Sequence, residues 1–254
     1  MNNIAGVLNE KLLEQVFEQE PDPHKLLQQC QYIAQFYAHI ENAIAVLSDL
    51  KNDKSYIYNG GLAQTLGLLD HDSEIDSIWE DAIFKLIHPD DLLRKHILEL
   101  QYFHFIKHIP LTDRHNFHVI SKIRMYNQEG QYIWISHRMY YVQNSPNGSI
   151  WLALCLYNFA HLSDNTESYE GFIVNSVTGQ IIQPEKQESS NLLSKREIEI
   201  LSLIKIGRRS KEIADDLSIS INTVNRHRQN ILEKLRVTNS IEACRIASSL
   251  NLFQ

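Results

Sequence analysis

The C-terminal quarter of the chain constrains the fold most, because signals that start and stop helices alternate there at short intervals. Ser194 followed three residues later by Glu197 is a capping box, in which each side chain satisfies a free backbone N–H at a helix start. Gly207 follows the apolar run, where a glycine can take the left-handed conformation that ends a helix. Ser210 is placed to cap a second helix and Ser220 a third. These signals predict a compact bundle of short helices.

The third of these helices has two distinct faces. Its apolar residues are expected to pack inward; they are Ile221, Val224, Ile231 and Leu235. Polar residues at i, i+3, i+4 and i+7 form a second face, which we call the base-facing set: Asn222, Asn225, Arg226 and Gln229. In the major groove arginine hydrogen-bonds guanine, and asparagine or glutamine hydrogen-bonds adenine. The stripe holds no acid, unlike most solvent-facing helix surfaces, so we interpret it as reading base edges within a helix-turn-helix.

Residues 191–254 resemble the LuxR-type (GerE, NarL or FixJ-like) helix-turn-helix of bacterial transcription regulators. The positions that carry the resemblance are Leu193, Ser194, Arg196, Glu197, Glu199, Leu201, Gly207, Lys211 to Ala214, Thr223, Val224, His227, Lys234 and Leu235. The resemblance implies base contacts for Asn225, Arg226 and Gln229 of the base-facing set. It also implies phosphate-side contacts for Lys211, Ser220, Thr223 and His227, which we call the phosphate-facing set. A last helix, beginning near Asn239 or Ser240, is the usual dimer surface of that family.

The preceding region alternates strands with short helices. Two strands are predicted over 45–58, a longer helix from Asp90 or Asp91 to about His108, and three strands over 117–126, 131–142 and 150–159. Ile87 to Asp91, Asn127 to Gly130 and Tyr132 to Ile135 give this region a resemblance to a PAS domain. That resemblance implies a curved antiparallel sheet with helices packed on one face.

The predicted fold class is therefore α+β, a PAS-like antiparallel sheet with packed helices plus an all-α four-helix helix-turn-helix domain. The expected division is a helical segment at 1–44, a PAS-like sensor at 45–165, a hairpin and linker at 166–190, and the helix-turn-helix at 191–254. The helical segment either covers the neighbouring domain or forms a dimer or signalling helix, and the pattern does not separate these two roles.

An interior lined mainly by apolar and aromatic side chains is expected between the PAS-like sheet and its helices. A cavity of ligand size there would be the default site for an unidentified small-molecule signal, whereas an interior filled by side chains would favour a dimerisation or protein-contact role. The residues expected to line this interior, which we call the interior set, are Phe84, Ile87, Phe117, Ile123, Ile133 and Trp134. No cofactor and no metal are predicted. His104 and His108 have a metal-capable i, i+4 spacing, but the aromatic residues beside them favour a packing helix. Cys155 is interpreted as a buried strand cysteine.

Charge is divided unevenly along the chain. Residues 191–254 hold 11 basic and 7 acidic residues, whereas residues 1–190 hold 13 basic and 24 acidic ones. A basic module on an acidic chain fits DNA binding by the C-terminal part.

Three scattered cysteines, no signal peptide and no apolar run of membrane length indicate a cytoplasmic protein without a membrane partner. No catalytic motif is recognised, so the chain is not expected to be an enzyme.

We therefore expect a cytoplasmic transcription regulator that binds double-stranded DNA as a homodimer. Two recognition helices about 34 Å apart would read an inverted-repeat operator, and a signal would shift the population between dimer geometries. RNA polymerase is a candidate partner. The alternative is a haem- or flavin-type redox sensor that acts mainly through protein–protein contacts, and visible absorbance of the purified protein would distinguish the two classes.

Overall fold

The computed structural model describes residues 3–68, 71–160, 171–183, 193–235, 237–249 and 252–253. These residues form two compact units. One lies within residues 8–184, and the other contains the C-terminal helices together with the described residues that precede Leu8. The predicted linker over Pro184 to Ser190 and the residues around the expected boundary at 165 lie outside the described residues.

The first unit is built on one antiparallel sheet that has eight strands in the described residues. The strands are β1 (Ile44–Asp49), β2 (Lys54–Asn59), β3 (Ser73–Ile75), β4 (Phe117–Tyr126), β5 (Tyr132–Asn144), β6 (Ile150–Phe159), β7 (Gly171–Asn175) and β8 (Ile181–Ile182). Their order is β3-β2-β1-β6-β5-β4-β7-β8. The central five, β2-β1-β6-β5-β4, form the PAS-like arrangement that the sequence predicted.

The α-helices described before β4 are α1 (Asn3–Leu13), α2 (Pro23–Ile40), α3 (Gly61–Thr65), α4 (Asp81–Phe84) and α5 (Pro89–Lys107). Of α1, the residues from Leu8 onward belong to the first unit. The predicted long helix and the three-stranded meander are confirmed to within two residues at each end. A hairpin was expected within 166–190, and among the described residues of that segment β7 pairs with β8. The sequence did not indicate that β7 also pairs with β4 and so extends the same sheet.

Helices cover both faces of the sheet, and not one face as the PAS resemblance implied. On the outer face, α2 packs Ala34 and Ala38 against Ala45 and Leu47 of β1. The inner face lies against α5, where the Tyr102 ring stacks on Tyr141 with ring centroids 4.9 Å apart. Because both faces of β1 are buried, its first four side chains, Ile44 to Leu47, are all apolar instead of alternating with polar ones. The covering role of α2 is thus confirmed, and its role in dimerisation stays a prediction.

The C-terminal unit consists of short helices whose ends follow the sequence signals. They are α6 (Lys195–Lys205), α7 (Ser210–Asp216), α8 (Ile221–Lys234) and α9 (Ser240–Ser249). The capping box of Ser194 and Glu197 is present, and Gly207 has a φ of 87° just after α6. Ser220 caps α8 by accepting a hydrogen bond from the Thr223 N–H.

Two expectations about this unit were wrong. Arg209, and not Ser210, is the N-cap of α7, and its backbone N–H donates to Glu212 Oε2 at 2.7 Å. Ile221 is 45% exposed, whereas Val224 and Ile231 are buried. Ile221 opens α8 and lies about 60° around the helix axis from Val224. It therefore falls outside the stripe that packs on the other helices.

Candidate nucleic-acid interface and sensor interior

A tight turn presents α8 to solvent. Ser218 takes a left-handed conformation with φ of 53° between α7 and α8. Ser220 Oγ accepts from the Thr223 N–H at 3.1 Å and lies 2.9 Å from Thr223 Oγ1. Val224 and Ile231 anchor the opposite side of the helix in the core. The turn and the cap therefore fix where α8 begins, and the buried stripe fixes its rotation about its own axis.

The structure brings the base-facing set together on one exposed face of α8. Asn222, Asn225, Arg226 and Gln229 are all exposed. Gln229 Nε2 donates to Glu233 Oε1 at 3.1 Å, which places one acid at the far end of this face. Exposed amide and guanidinium groups on one helical surface have the chemistry that the major groove recognises.

The phosphate-facing set is divided between surface and interior positions. Lys211 is exposed on α7, and Ser220 and Thr223 are exposed at the start of α8. The Ser220 hydroxyl already serves as the helix cap. His227 is half-buried, and its Nδ1 is buried without a hydrogen-bond partner among the described residues. The set therefore supplies three surface groups near the start of α7 and α8, and one group that faces partly inward.

Two arginines hold these helices together, and the sequence did not single out either of them for this role. Arg228 donates through Nη1 to Ser210 Oγ at 3.1 Å and through Nη2 to Ser240 Oγ at 3.2 Å. It thereby ties α8 to the starts of α7 and α9. Arg196 Nη2 donates to the Leu217 carbonyl at 3.0 Å, which ties α6 to the end of α7. Local signals could not show these contacts, because their partners lie 12 to 21 residues away.

The capping glutamate of α6 also reaches α8. Glu197 Oε2 accepts from Lys234 Nζ at 2.7 Å, and the Glu197 side chain is only 3% exposed. Burial alone would raise the pKa of Glu197, but hydrogen bonds from Lys234 and from Ser194 outweigh it, so this pKa lies below its ordinary value. Glu197 and Lys234 therefore contribute to the scaffold that positions α8.

The interior set is only partly brought together in the first unit. Phe84, Ile87 and Ile123 are buried. Ile133 and Phe117 are half-buried, and the Phe117 ring lies 5.2 Å from the Phe105 ring of α5. Trp134 requires a correction. Side chains alternate along β5, so Trp134 lies on the outer face, beneath Lys122 Nζ at 4.9 Å and Arg124 at 5.7 Å.

A small cavity of about 40 Å³ lies on the inner face, and Phe84 is the one member of the interior set that lines it. Its other walls include Glu80, Lys95, Glu99 and Cys155. A typical small-molecule pocket measures roughly 300–1,000 Å³, so this space suits an occupant of about the size of water. The interior expected to be apolar is strongly polar at this point.

The polar side chains around the cavity pair with one another. Lys95 Nζ donates to Glu99 Oε1 at 2.7 Å, and both side chains are nearly fully buried. The Tyr157 hydroxyl donates to Glu80 Oε1 at 3.1 Å. Burial raises the pKa of Glu80, although Lys95 opposes the shift. Burial also lowers the pKa of His137 well below its usual range, assisted by the positive charge of Lys95, so this imidazole is neutral at pH 7.

Two further sequence observations can be placed in the structure. His108 Nδ1 lies 2.9 Å from the backbone oxygen of His104, so their i, i+4 spacing serves a local contact at the end of α5. Across the described part of the chain, no helix combines the length and the apolar character needed to cross a membrane.

The comparison with protein families identifies the C-terminal domain. Residues 191–247 match the family "Bacterial regulatory proteins, luxR family". The C-terminal part of this chain is therefore a LuxR-type helix-turn-helix domain, as its motif implied.

Two curated relatives contain similar sequence. The uncharacterized response regulatory protein YgeK of Escherichia coli K12 is 47% identical over 62 residues, which cover 24% of this chain and 42% of that protein. The oxygen regulatory protein NreC of Staphylococcus epidermidis is 30% identical over 119 residues, which cover 45% of this chain and 54% of that protein. The chain thus spans about half the length of the curated relatives it matches.

Three solved structures have low overall similarity to this chain. The phage VqmA–DPO complex has a TM-score of 0.33 at 14% identity, over 89% of this chain and 88% of that chain. The Vibrio cholerae VqmA dimer has a TM-score of 0.30 at 16% identity, over 87% and 86%. A PAS domain from Colwellia psychrerythraea has a TM-score of 0.32 at 16% identity, over 53% and 97%.

Proposed function

We propose that this chain is a transcription regulator whose C-terminal domain binds double-stranded DNA with α8 in the major groove. The observation that carries the proposal is the exposed base-facing set on a single face of α8. Val224 and Ile231 hold the other side of that helix in the core, so the reading face has a fixed orientation. In a helix-turn-helix, the second helix of the motif enters the groove by its N-terminal half, which is where Asn222, Asn225 and Arg226 lie.

The positions of Lys211 and Thr223 support the same docking. Both are exposed near the starts of α7 and α8, where side chains and backbone N–H groups commonly meet the phosphates on either side of the groove. Phosphate contacts supply affinity without sequence preference, whereas base contacts supply specificity. The proposal therefore separates two roles that can be measured independently.

We further propose that the regulator acts as a homodimer on an inverted-repeat operator. A single helix-turn-helix contacts few bases, so useful specificity requires two of them. Ile241 on α9 is 85% exposed, which supports α9 as a surface between two copies. RNA polymerase stays a candidate partner, and the PAS-like unit is the proposed receiver of the signal.

Substitution of Arg226 and Lys211, each by alanine, tests the two roles. Operator DNA is first obtained by site selection with the purified full chain, and binding is then followed by fluorescence anisotropy on operator and random DNA. A bidentate arginine–guanine contact is worth about 1–3 kcal/mol of discrimination. Arg226→Ala should lose that discrimination at one base position per half-site. Lys211→Ala should weaken binding to operator and random DNA equally. It should also reduce the slope of log affinity against log salt concentration by about one unit per recognition helix.

The opposite pattern would place the helices differently. If Arg226→Ala lowers the affinity for operator and random DNA equally, this residue anchors the protein without reading a base. If Lys211→Ala lowers the affinity for operator DNA alone, then α7, and not only α8, approaches the bases. Sedimentation with and without operator tests the dimer, and a monomer in both conditions would overturn it.

A further inference from the structure

Three side chains with metal-binding chemistry meet inside the PAS-like unit. They are Glu99 on α5, His137 on β5 and Cys155 on β6. One carboxylate oxygen, one imidazole nitrogen and the thiol sulfur all lie within 4.8 Å of one another, and all three residues are buried. The pairing of β5 with β6, in which Met139 is opposite Cys155 and His137 opposite Tyr157, brings the two strand residues together on the inner face.

The orientation of His137 is the second observation. Its Nδ1 lies 3.2 Å from Ser121 Oγ. Its Nε2 is fully buried and has no hydrogen-bond partner among the described residues, and Glu99 Oε1 is 3.9 Å away. Leaving a buried polar atom unpaired is unfavourable, because the atom loses its hydrogen bonds to water and gains none in the fold. A histidine that is held by a hydrogen-bond partner at one ring nitrogen and directs the other toward a carboxylate and a thiol has the arrangement of a metal ligand.

Carboxyl side chains and space in the cluster are compatible with a cation, since Glu80 and Glu99 both line the small cavity. A divalent ion that displaces the Cys155 thiol proton adds one net positive charge beside them. The cavity of about 40 Å³ is lined by both Glu99 and Cys155, and this volume is sufficient for a water molecule beside them.

We propose that Glu99, His137 and Cys155 bind a divalent transition-metal ion, with zinc as the best match. Nitrogen, thiolate and carboxylate ligands suit zinc, and three protein ligands leave a fourth position for water from the cavity. Binding forms metal–sulfur, metal–nitrogen and metal–oxygen bonds and breaks the S–H bond of Cys155. The thiol proton passes to solvent, and no group changes oxidation state.

The geometry requires only a modest contraction. Zinc–ligand distances of about 2.0–2.3 Å in a tetrahedron place ligand atoms roughly 3.5 Å apart, so the three atoms must approach by about 1 Å. Lys95 lies at the same carboxylate and is the competing cation. If Lys95 prevents metal entry, the cluster is a structural ion-pair network that takes up no metal.

Cobalt(II) is the probe, because a thiolate ligand produces a charge-transfer absorption that other ligands do not. The chain has three cysteines, Cys30, Cys155 and Cys244, and the other two lie outside the cluster. The full-length double variant Cys30→Ser/Cys244→Ser keeps Cys155 as its one thiol. After chelator treatment it should take up one cobalt per chain with the thiolate band, and zinc should displace that cobalt. One proton per chain should be released.

Cys155→Ser removes the proposed thiolate ligand and is the counterpart of the double variant, which keeps it. Removing even an outer-sphere partner weakens metal binding by about 10- to 100-fold, so loss of this ligand should abolish the band and weaken binding at least that much. Cys30→Ser, at another buried cysteine, should leave both unchanged. The proposal is overturned if the double variant shows no thiolate band, or if the band survives in Cys155→Ser. The double variant decides the outcome even if Cys155→Ser fails to fold.

Discussion

The two units of this chain use polar side chains in opposite ways. On α8 of the C-terminal unit, the polar groups of the base-facing set project into solvent from a helix that a few apolar contacts hold in place. On α5 of the PAS-like unit, Lys95 and Glu99 are turned inward and pair with each other. An exposed polar group can bind a partner at little cost to the fold. A buried polar group must find its hydrogen-bond partner inside the fold, so losing that partner lowers the stability of the fold.

The largest expected effect comes from breaking the buried pair. Lys95→Met leaves Glu99 without its cation, and removing one partner of a buried ion pair costs about 3–5 kcal/mol. Tryptophan fluorescence during chemical unfolding measures this unit selectively, because Trp79, Trp134 and Trp151 all lie within it. Lys54→Met is the matched control, since Lys54 pairs with Glu74 in solvent. Similar losses in both variants would show that burial is not the cause.

Removing an anchor of α8 should have the next largest effect. Ile231 is 1% exposed, and truncating a buried isoleucine to alanine costs about 2–5 kcal/mol. Ile221→Ala, which removes the same atoms from a 45% exposed position of the same helix, should change stability by about 0.5 kcal/mol or less. Hydrogen exchange of the α8 amides measures both. Equal losses would mean that Ile221 packs inward after all.

A smaller, pH-dependent effect is expected for Glu197→Gln. The pKa of Glu197 is lowered in the folded state because hydrogen bonds from Lys234 and Ser194 outweigh burial. The carboxylate therefore contributes stability that is complete above its unfolded pKa and is lost as pH falls through the lower folded pKa. Hydrogen bonds to charged groups contribute about 1.5–3 kcal/mol.

The same exchange measurement tests this over a pH series. The difference between wild type and Glu197→Gln should be full at pH 7 and should shrink below about pH 4 as the wild-type carboxyl is protonated. A difference that stays constant with pH would assign the effect to shape and not to charge. Glu199→Gln is the control, because Glu199 contacts Arg196 at the exposed surface of the same helix.

Much of the C-terminal unit could be predicted because its signals are local. The Ser194 capping box, the Ser220 cap and the left-handed Gly207 each involve atoms within a few residues of one another. The exposure of Asn225 and Arg226 follows from helical periodicity alone. In the PAS-like unit, the strand positions were predictable from turn residues and apolar runs for the same reason.

The remaining features depended on contacts between distant segments. Glu197 meets Lys234 across 37 residues, and no local pattern indicates such a pair. Trp134 lies on the outer face because strand register sets the direction of each side chain in β5, and a shift by one residue would reverse it. The sequence determined which segments form helices and strands, since that choice depends on near neighbours. Only the tertiary structure brought Glu99, His137 and Cys155 together, because a helix and two strands must first pack before their inner faces meet.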